Sequence, residues 1–229
     1  MKTVVITGIG RGIGKALAQK FLAEGFKVFG TSTSGTVDFT HQDLTVFTLD
    51  LSSPESIAAC ADAVVKAGAS LDILINNAGA LFDDEETQVF IDTLRSTLEV
   101  NLIGTIDFTE KILSLVVANG HVVNISSTAG SLALSDPETE KASHFPYHYP
   151  CYKISKTALN MYTRTLAGRM IYEGKEIIVS SVHPGWVRTE MGGDDADVSP
   201  EEAADDVYKT AVSKPETGQF WFKGKKIAW

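Results

Sequence analysis

Short apolar runs alternate along the chain with stretches whose apolar residues recur at helical spacing. Thr3–Thr7 is a β-branched run that predicts a buried strand. Lys27–Gly30, Val46–Leu49, Leu71–Ile75, His121–Ile125 and Ile177–Val182 predict further strands. Between them, Ile13–Ala23, Ser56–Lys66, Leu102–Val117, Tyr152–Tyr172 and Pro200–Ser213 predict helices. Strands alternating with helices imply βαβ units and a parallel sheet. The strands are nearly continuous apolar runs, as expected when helices cover both faces. No repeat or composition break divides the chain. Residues 1–229 therefore predict one α/β domain, a doubly wound parallel sheet with helices on both faces.

Composition narrows the function. An apolar fraction of 44% fills a sizeable core, and a formal net charge of -9 repels phosphate backbones and acidic membrane surfaces. Nucleic acid and membrane are thus poor partners. The N-terminus lacks a signal peptide's apolar core, and no apolar run reaches the ~18 residues of a membrane span, so a cytoplasmic protein is expected. Cys60 and Cys151 have no metal or redox spacing and read as space-filling thiols.

The chemistry starts where the first strand ends. Thr7-Gly8-Ile9-Gly10-Arg11-Gly12-Ile13-Gly14 runs directly into a helix. Glycines at Gly8, Gly10, Gly12 and Gly14 permit a tight turn and let backbone approach a pyrophosphate. The helix N-terminus adds free N–H groups and partial positive charge. The spacing is TGxxxGxG, which resembles the cofactor loop of the short-chain dehydrogenase/reductase family. Asn76-Asn77-Ala78-Gly79 resembles that family's NNAG motif, and Asn101 in VNLIG its helix-embedded Asn. Ser126–Gly130 resembles SSxxG, Tyr152–Lys156 YxxxK, and Pro184-Gly185 the turn beside the nicotinamide. Five further motifs in order carry the resemblance from end to end, and it implies a Rossmann fold binding a nicotinamide dinucleotide. Ile13, Asn77, Ala78, Gly79, Val187 and Thr189 would join the cofactor contacts.

Discrimination between NAD and NADP is a charge problem at the end of the second strand. Thr31, Ser32 and Thr33 stand there with no acid, and Arg11 supplies a positive charge close by. The resemblance therefore implies NADP(H), with Asp50 contacting the adenine and Leu51 against its ring.

Tyr152 and Lys156 are four apart on a helix and share a face. A free tyrosine, with a pKa near ~10, is a poor base, and a nearby ammonium is expected to lower it. Tyr152 can then exchange a proton with a carbonyl or alcohol oxygen. The family resemblance adds Lys156 as a holder of the ribose hydroxyls. It adds Ser127 as the group polarising the substrate oxygen, and Asn101 as the holder of a water linking Lys156 to solvent.

Ser127 and Tyr152 are separated about twice as far as is common in the family. The extra segment, residues 135–150, reads as an ordered loop near the substrate mouth. Its His144 and His148 have no further ligand at metal spacing, so no metal site is expected. Asp83–Glu86 reads as a solvated acidic loop. His183 reads as packed or hydrogen-bonded, and Trp186 as a pocket or core aromatic.

His183–Gly193 and the C-terminal GQFWFKGKKIAW resemble the C-factor-like and sniffer-type carbonyl reductases. That implies reduction of a small aldehyde or ketone to an alcohol, and a possible homodimer through the two long helices. Two alternatives stand beside it. A β-ketoacyl-carrier-protein reductase would need a basic docking patch, whereas Glu190, Asp194, Asp195 and Asp197 are acidic. A non-catalytic dinucleotide sensor commonly loses the Tyr or Lys, and both are present.

Overall fold

The computed structural model describes residues 1–68, 70–140 and 147–229. The strands are β1 (Thr3–Ile6), β2 (Lys27–Ser32), β3 (Leu44–Thr48), β4 (Leu71–Asn76), β5 (Val116–Ile125), β6 (Ile178–Val182), β7 (Gln219–Phe222) and β8 (Lys225–Ile227). The α-helices are α1 (Gly12–Ala23), α2 (Pro54–Lys66), α3 (Ile91–Leu98), α4 (Thr105–Ile112), α5 (Pro137–Glu140), α6 (Pro150–Tyr172) and α7 (Pro200–Val212). They form one sheet in the order β3-β2-β1-β4-β5-β6-β7-β8. β1 through β7 pair in parallel, and β8 returns antiparallel on β7. The winding direction reverses between β1 and β4, which opens a crevice beyond their carboxyl ends.

The period-two alternation of the strands sorts their side chains to two faces. Val5, Leu74, Val122 and Val179 point to one face and pack with Ile57, Phe108, Ile112, Leu166 and Met170 from α2, α4 and α6. Val4, Ile6, Ile73, Ile75 and Val123 point to the other and pack with Leu17, Phe21 and Val207 from α1 and α7. Each large side chain so buried contributes about 1.5–3 kcal/mol. Local signals fix two of the helix starts: the Ser53 side chain caps α2, and Ser199 with Glu202 forms a capping box on α7.

The chain departs from its sequence pattern in three places. The helix expected over Leu102–Val117 begins at Ile91, passes through a π-helical turn at Glu99–Gly104, and ends before β5 starts at Val116. Only Thr97 is buried in α3, so its periodic signal is weak. Gly104 lies against Leu51, where an added Cβ would sit 2.0 Å from the Leu51 carbonyl oxygen. The β7–β8 hairpin was not expected. It is short, lies at the sheet edge, and turns at Lys223 and Gly224 with φ of 48° and 70°. Within the segment read as a loop, Pro137–Glu140 forms a short helix, whereas residues 141–146, including His144, lie outside the described residues. No helix among the described residues is long and apolar enough to cross a membrane.

Candidate active site

The crevice is walled by the glycine loop and the turn after β4. Gly8 and Gly12 adopt φ of +72° and +54°, conformations that other residues adopt rarely. An added Cβ on Gly14 would lie 2.0 Å from the Gly8 carbonyl oxygen, whereas one on Gly10 would meet only Ser32 Cβ at 3.9 Å. The loop is therefore tight against itself and open above Gly10. Its N-cap, Arg11, makes no side-chain capping bond, and the first turn of α1 holds no acid. Ile13 leans into the core on the inner side of that turn. Uncapped N–H groups beside an open concavity fit a dinucleotide pyrophosphate.

Buried Thr7 ties the two walls together. Its hydroxyl accepts from the backbone N–H of Asn77 and of Ala78, each at 3.0 Å. The Asn77 amide donates back to the carbonyls of Thr7 and Gly8 at 2.9 and 3.2 Å. Gly79 meets the chemical end, because a Cβ there would lie 3.3 Å from Asn101 Oδ1 and 3.5 Å from Lys156 Nζ.

α6 brings Tyr152 and Lys156 to this point. Lys156 is buried, donates to the Ile125 carbonyl at 2.9 Å, and lies 5.4 Å from the Tyr152 ring centroid. Burial lowers its pKa to about 8. The Tyr152 hydroxyl is pushed up to about 12, chiefly by burial, against a lowering hydrogen bond with Ser127. The expectation that the lysine draws the tyrosine pKa down is not met in this arrangement, because desolvation of the buried phenol dominates. Ser127 also accepts from Ala129 N–H at 3.1 Å as the cap of a short 3₁₀ turn.

Asn101 sits in the π-helical turn. Its Oδ1 accepts from Ala80 N–H at 2.7 Å, and Nδ2 donates to the Ala80 carbonyl at 2.8 Å and to Ser155 Oγ at 3.1 Å. Both amide hydrogens go to protein groups, so the side chain braces the site. Ser155, unnoticed in the sequence, passes the brace on to the Tyr152 carbonyl at 2.7 Å. Asp83 was also misjudged. It is 1% exposed and accepts from Cys151 N–H at 2.5 Å, in the first turn of α6. A single acid in an acidic run carries no local mark of burial.

At the ribose end of the crevice the hydroxyls divide. Thr31 is buried and its Oγ1 accepts from Gly8 N–H at 3.2 Å, so it supports the loop. Ser32 Oγ donates to the Thr36 carbonyl at 2.9 Å, and Thr33 is exposed. Arg11 pairs with Glu190 at 2.6 Å. Asp50 accepts from Ser52 N–H at 2.9 Å and from its hydroxyl at 2.6 Å, which holds its pKa down. Leu51 is packed into the core rather than open on the cleft.

The segment after β6 closes over the loop. Pro184 and Val187 are buried, Gly185 has φ of +95°, and Thr189 Cγ2 lies 3.1 Å from where a Gly12 Cβ would sit. His183 accepts weakly from Thr128 N–H at 3.4 Å and packs on Phe222, with burial lowering its pKa to about 4. Trp186 Nε1 donates to the Gly192 carbonyl at 2.7 Å, folding the segment back on itself. Among the described residues no three His, Cys, Asp or Glu side chains converge as a metal site would require.

A crevice at the switch point of a doubly wound sheet, with an uncapped helix end in its wall, is the signature of the dinucleotide-binding class. A family described as short chain dehydrogenase matches residues 2–199. The chain belongs to that family of oxidoreductases, on its carbonyl reductase branch. It is 32% identical over 223 residues to a short-chain dehydrogenase of Penicillium roqueforti, covering 91% of this chain and 88% of the relative. It is 30% identical over 214 residues to mouse carbonyl reductase [NADPH] 1, covering 78% and 77%. The structure of NADPH-bound carbonyl reductase from chicken fatty liver superposes with a TM-score of 0.86 at 28% identity, over 100% of this chain and 94% of that one.

Proposed function

We propose that the protein is an NADPH-dependent reductase of small aldehydes or ketones, with Tyr152 as the proton donor. The observation that carries this reading is the Tyr152 ring 5.4 Å from the buried Lys156 ammonium, on the crevice that also holds the uncapped α1 end. The glycine loop would hold the pyrophosphate, and Arg11 the 2′-phosphate. Bound there, the nicotinamide supplies the hydride. Ser127 hydrogen-bonds the carbonyl oxygen and polarises it. Tyr152 gives that oxygen its proton, while Lys156 reaches the ribose hydroxyls. Retention of the whole Ser–Tyr–Lys group favours an enzyme over a sensor. The acids that follow β6 oppose docking of an acidic carrier protein. Exposed Ile103 in the π-helical turn, with Ile154 and Met161 on α6, supports a homodimer, which light scattering would test.

The test is a screen of aldehydes, ketones and diketones with NADPH and NADH, followed by cofactor absorbance. On any carbonyl that is turned over, Tyr152→Phe should lower kcat by at least ~10²-fold with NADPH affinity little changed. Undiminished turnover in that variant would remove Tyr152 from the chemistry.

A further inference from the structure

The first turn of α6 has no cap of its own. Pro150 carries no N–H, and the N-cap residue Tyr149 sits at φ 48° with no side-chain capping bond. The acceptor comes from the loop beyond β4, 68 positions away in the chain, where Asp83 Oδ2 takes the Cys151 N–H at 2.5 Å. A second bond runs parallel to it, from Tyr149 N–H to the Glu86 carbonyl at 2.9 Å. Cys151 immediately precedes Tyr152, and Asp83 follows Gly79 by only a few residues. One carboxylate thus ties the floor of the cofactor crevice to the turn that carries the phenol.

Its setting is expensive for a simple cap. Asp83 is 1% exposed, and its Oδ1 has no hydrogen-bond partner among the described residues. Its chain neighbours Asp84, Glu85 and Glu86 are all exposed. Burying a charge is unfavourable unless a specific field compensates it. Here the compensation is the positive end of α6 with its free N–H, together with the Lys153 ammonium one turn in, whose charged form Asp83 favours.

We infer that Asp83 is a positioning residue for catalysis. It fixes the register of the first turn of α6 so that Tyr152 meets the substrate oxygen above Gly79. The inference rests on Tyr152 being the proton donor. A displacement of the donor by about 1 Å is enough to slow turnover by ~10²-fold.

The experiment compares Asp83→Ala with Asp83→Asn, measuring kcat, KM and the NADPH dissociation constant well below each melting temperature. Asp83→Ala should lose about ten- to a hundred-fold in kcat, with NADPH affinity within about three-fold of wild type. Asp83→Asn keeps a carbonyl acceptor for Cys151 and should recover kcat to within about three-fold. A folded Asp83→Ala that keeps full kcat and only melts earlier would reduce Asp83 to a structural cap and overturn the inference. If Asp83→Ala does not fold, Asp83→Glu decides. Its carboxylate is displaced by one methylene, so kcat should fall at least about ten-fold, and unchanged kcat overturns the inference. Failure of the parent reading looks different, because Tyr152→Phe would then retain turnover whatever Asp83 does.

Discussion

The N-termini of α1 and α6 are locally alike and are used in opposite ways. Neither has a capping side chain at its N-cap, and neither has an acid in its first turn. At α1 that bareness persists in the folded chain: the glycine loop leaves space above Gly10, and the N-cap itself is the exposed Arg11. At α6 a buried carboxylate from another element fills the vacancy. The first end is open to a mobile anion, and the second is shut to hold a side chain still. An uncapped helix start is therefore not by itself a binding site. What the tertiary structure places over it decides.

Lys156 offers the largest test of the closed end. Its pKa is lowered from 10.5 to about 8 by burial. Between those values the unfolded chain holds a proton that the folded chain has released, so this residue makes stability rise with pH across that window. Relative to Lys156→Met, the wild-type protein without cofactor should gain roughly 3 kcal/mol between pH 7 and 10.5. Chemical denaturation at several pH values measures it, and parallel curves for the two proteins would mean the lysine is not desolvated.

Closing the open end should cost binding rather than stability. Gly10→Asp places a carboxylate in the free space of the loop, where its Cβ meets nothing nearer than Ser32 Cβ at 3.9 Å. The expected result is an NADPH dissociation constant raised at least about ten-fold by charge repulsion. Folding stability should stay within about 0.5 kcal/mol. Calorimetry on the same sample reads both, and unchanged affinity would move the pyrophosphate away from α1.

The smallest effect concerns the rim of the open end. Glu190 holds Arg11 at 2.6 Å with both side chains largely exposed, a pairing that exposed charges give up easily. Glu190→Gln should free Arg11 and tighten NADPH by about two- to five-fold, leaving NADH unaffected. Arg11→Ala should weaken NADPH more than NADH. Equal shifts for both dinucleotides would take Arg11 out of 2′-phosphate recognition.

The chain's own pattern determined the doubly wound sheet, because strand and helix periodicities are local and nearly every buried strand announces itself in four or five apolar residues. It determined the glycine loop as well, since only glycine fits φ of +72° at Gly8 or the contact of Gly14 with Gly8. The Tyr152–Lys156 pair was legible from the ordered family motifs, with helical spacing placing both on one face. Partnerships across long sequence separations were not. That Thr31 supports Gly8, that Asn101 braces Ser155, and that Asp83 rather than Asp84 is buried depend on which loops meet. The same holds for the tyrosine's pKa of about 12, which burial outside the helix sets against the hydrogen bond from Ser127. Hydrogen bonds and desolvation act between atoms a few ångströms apart in space. Spacing along the chain fixes that distance only within one helix, one strand or one turn.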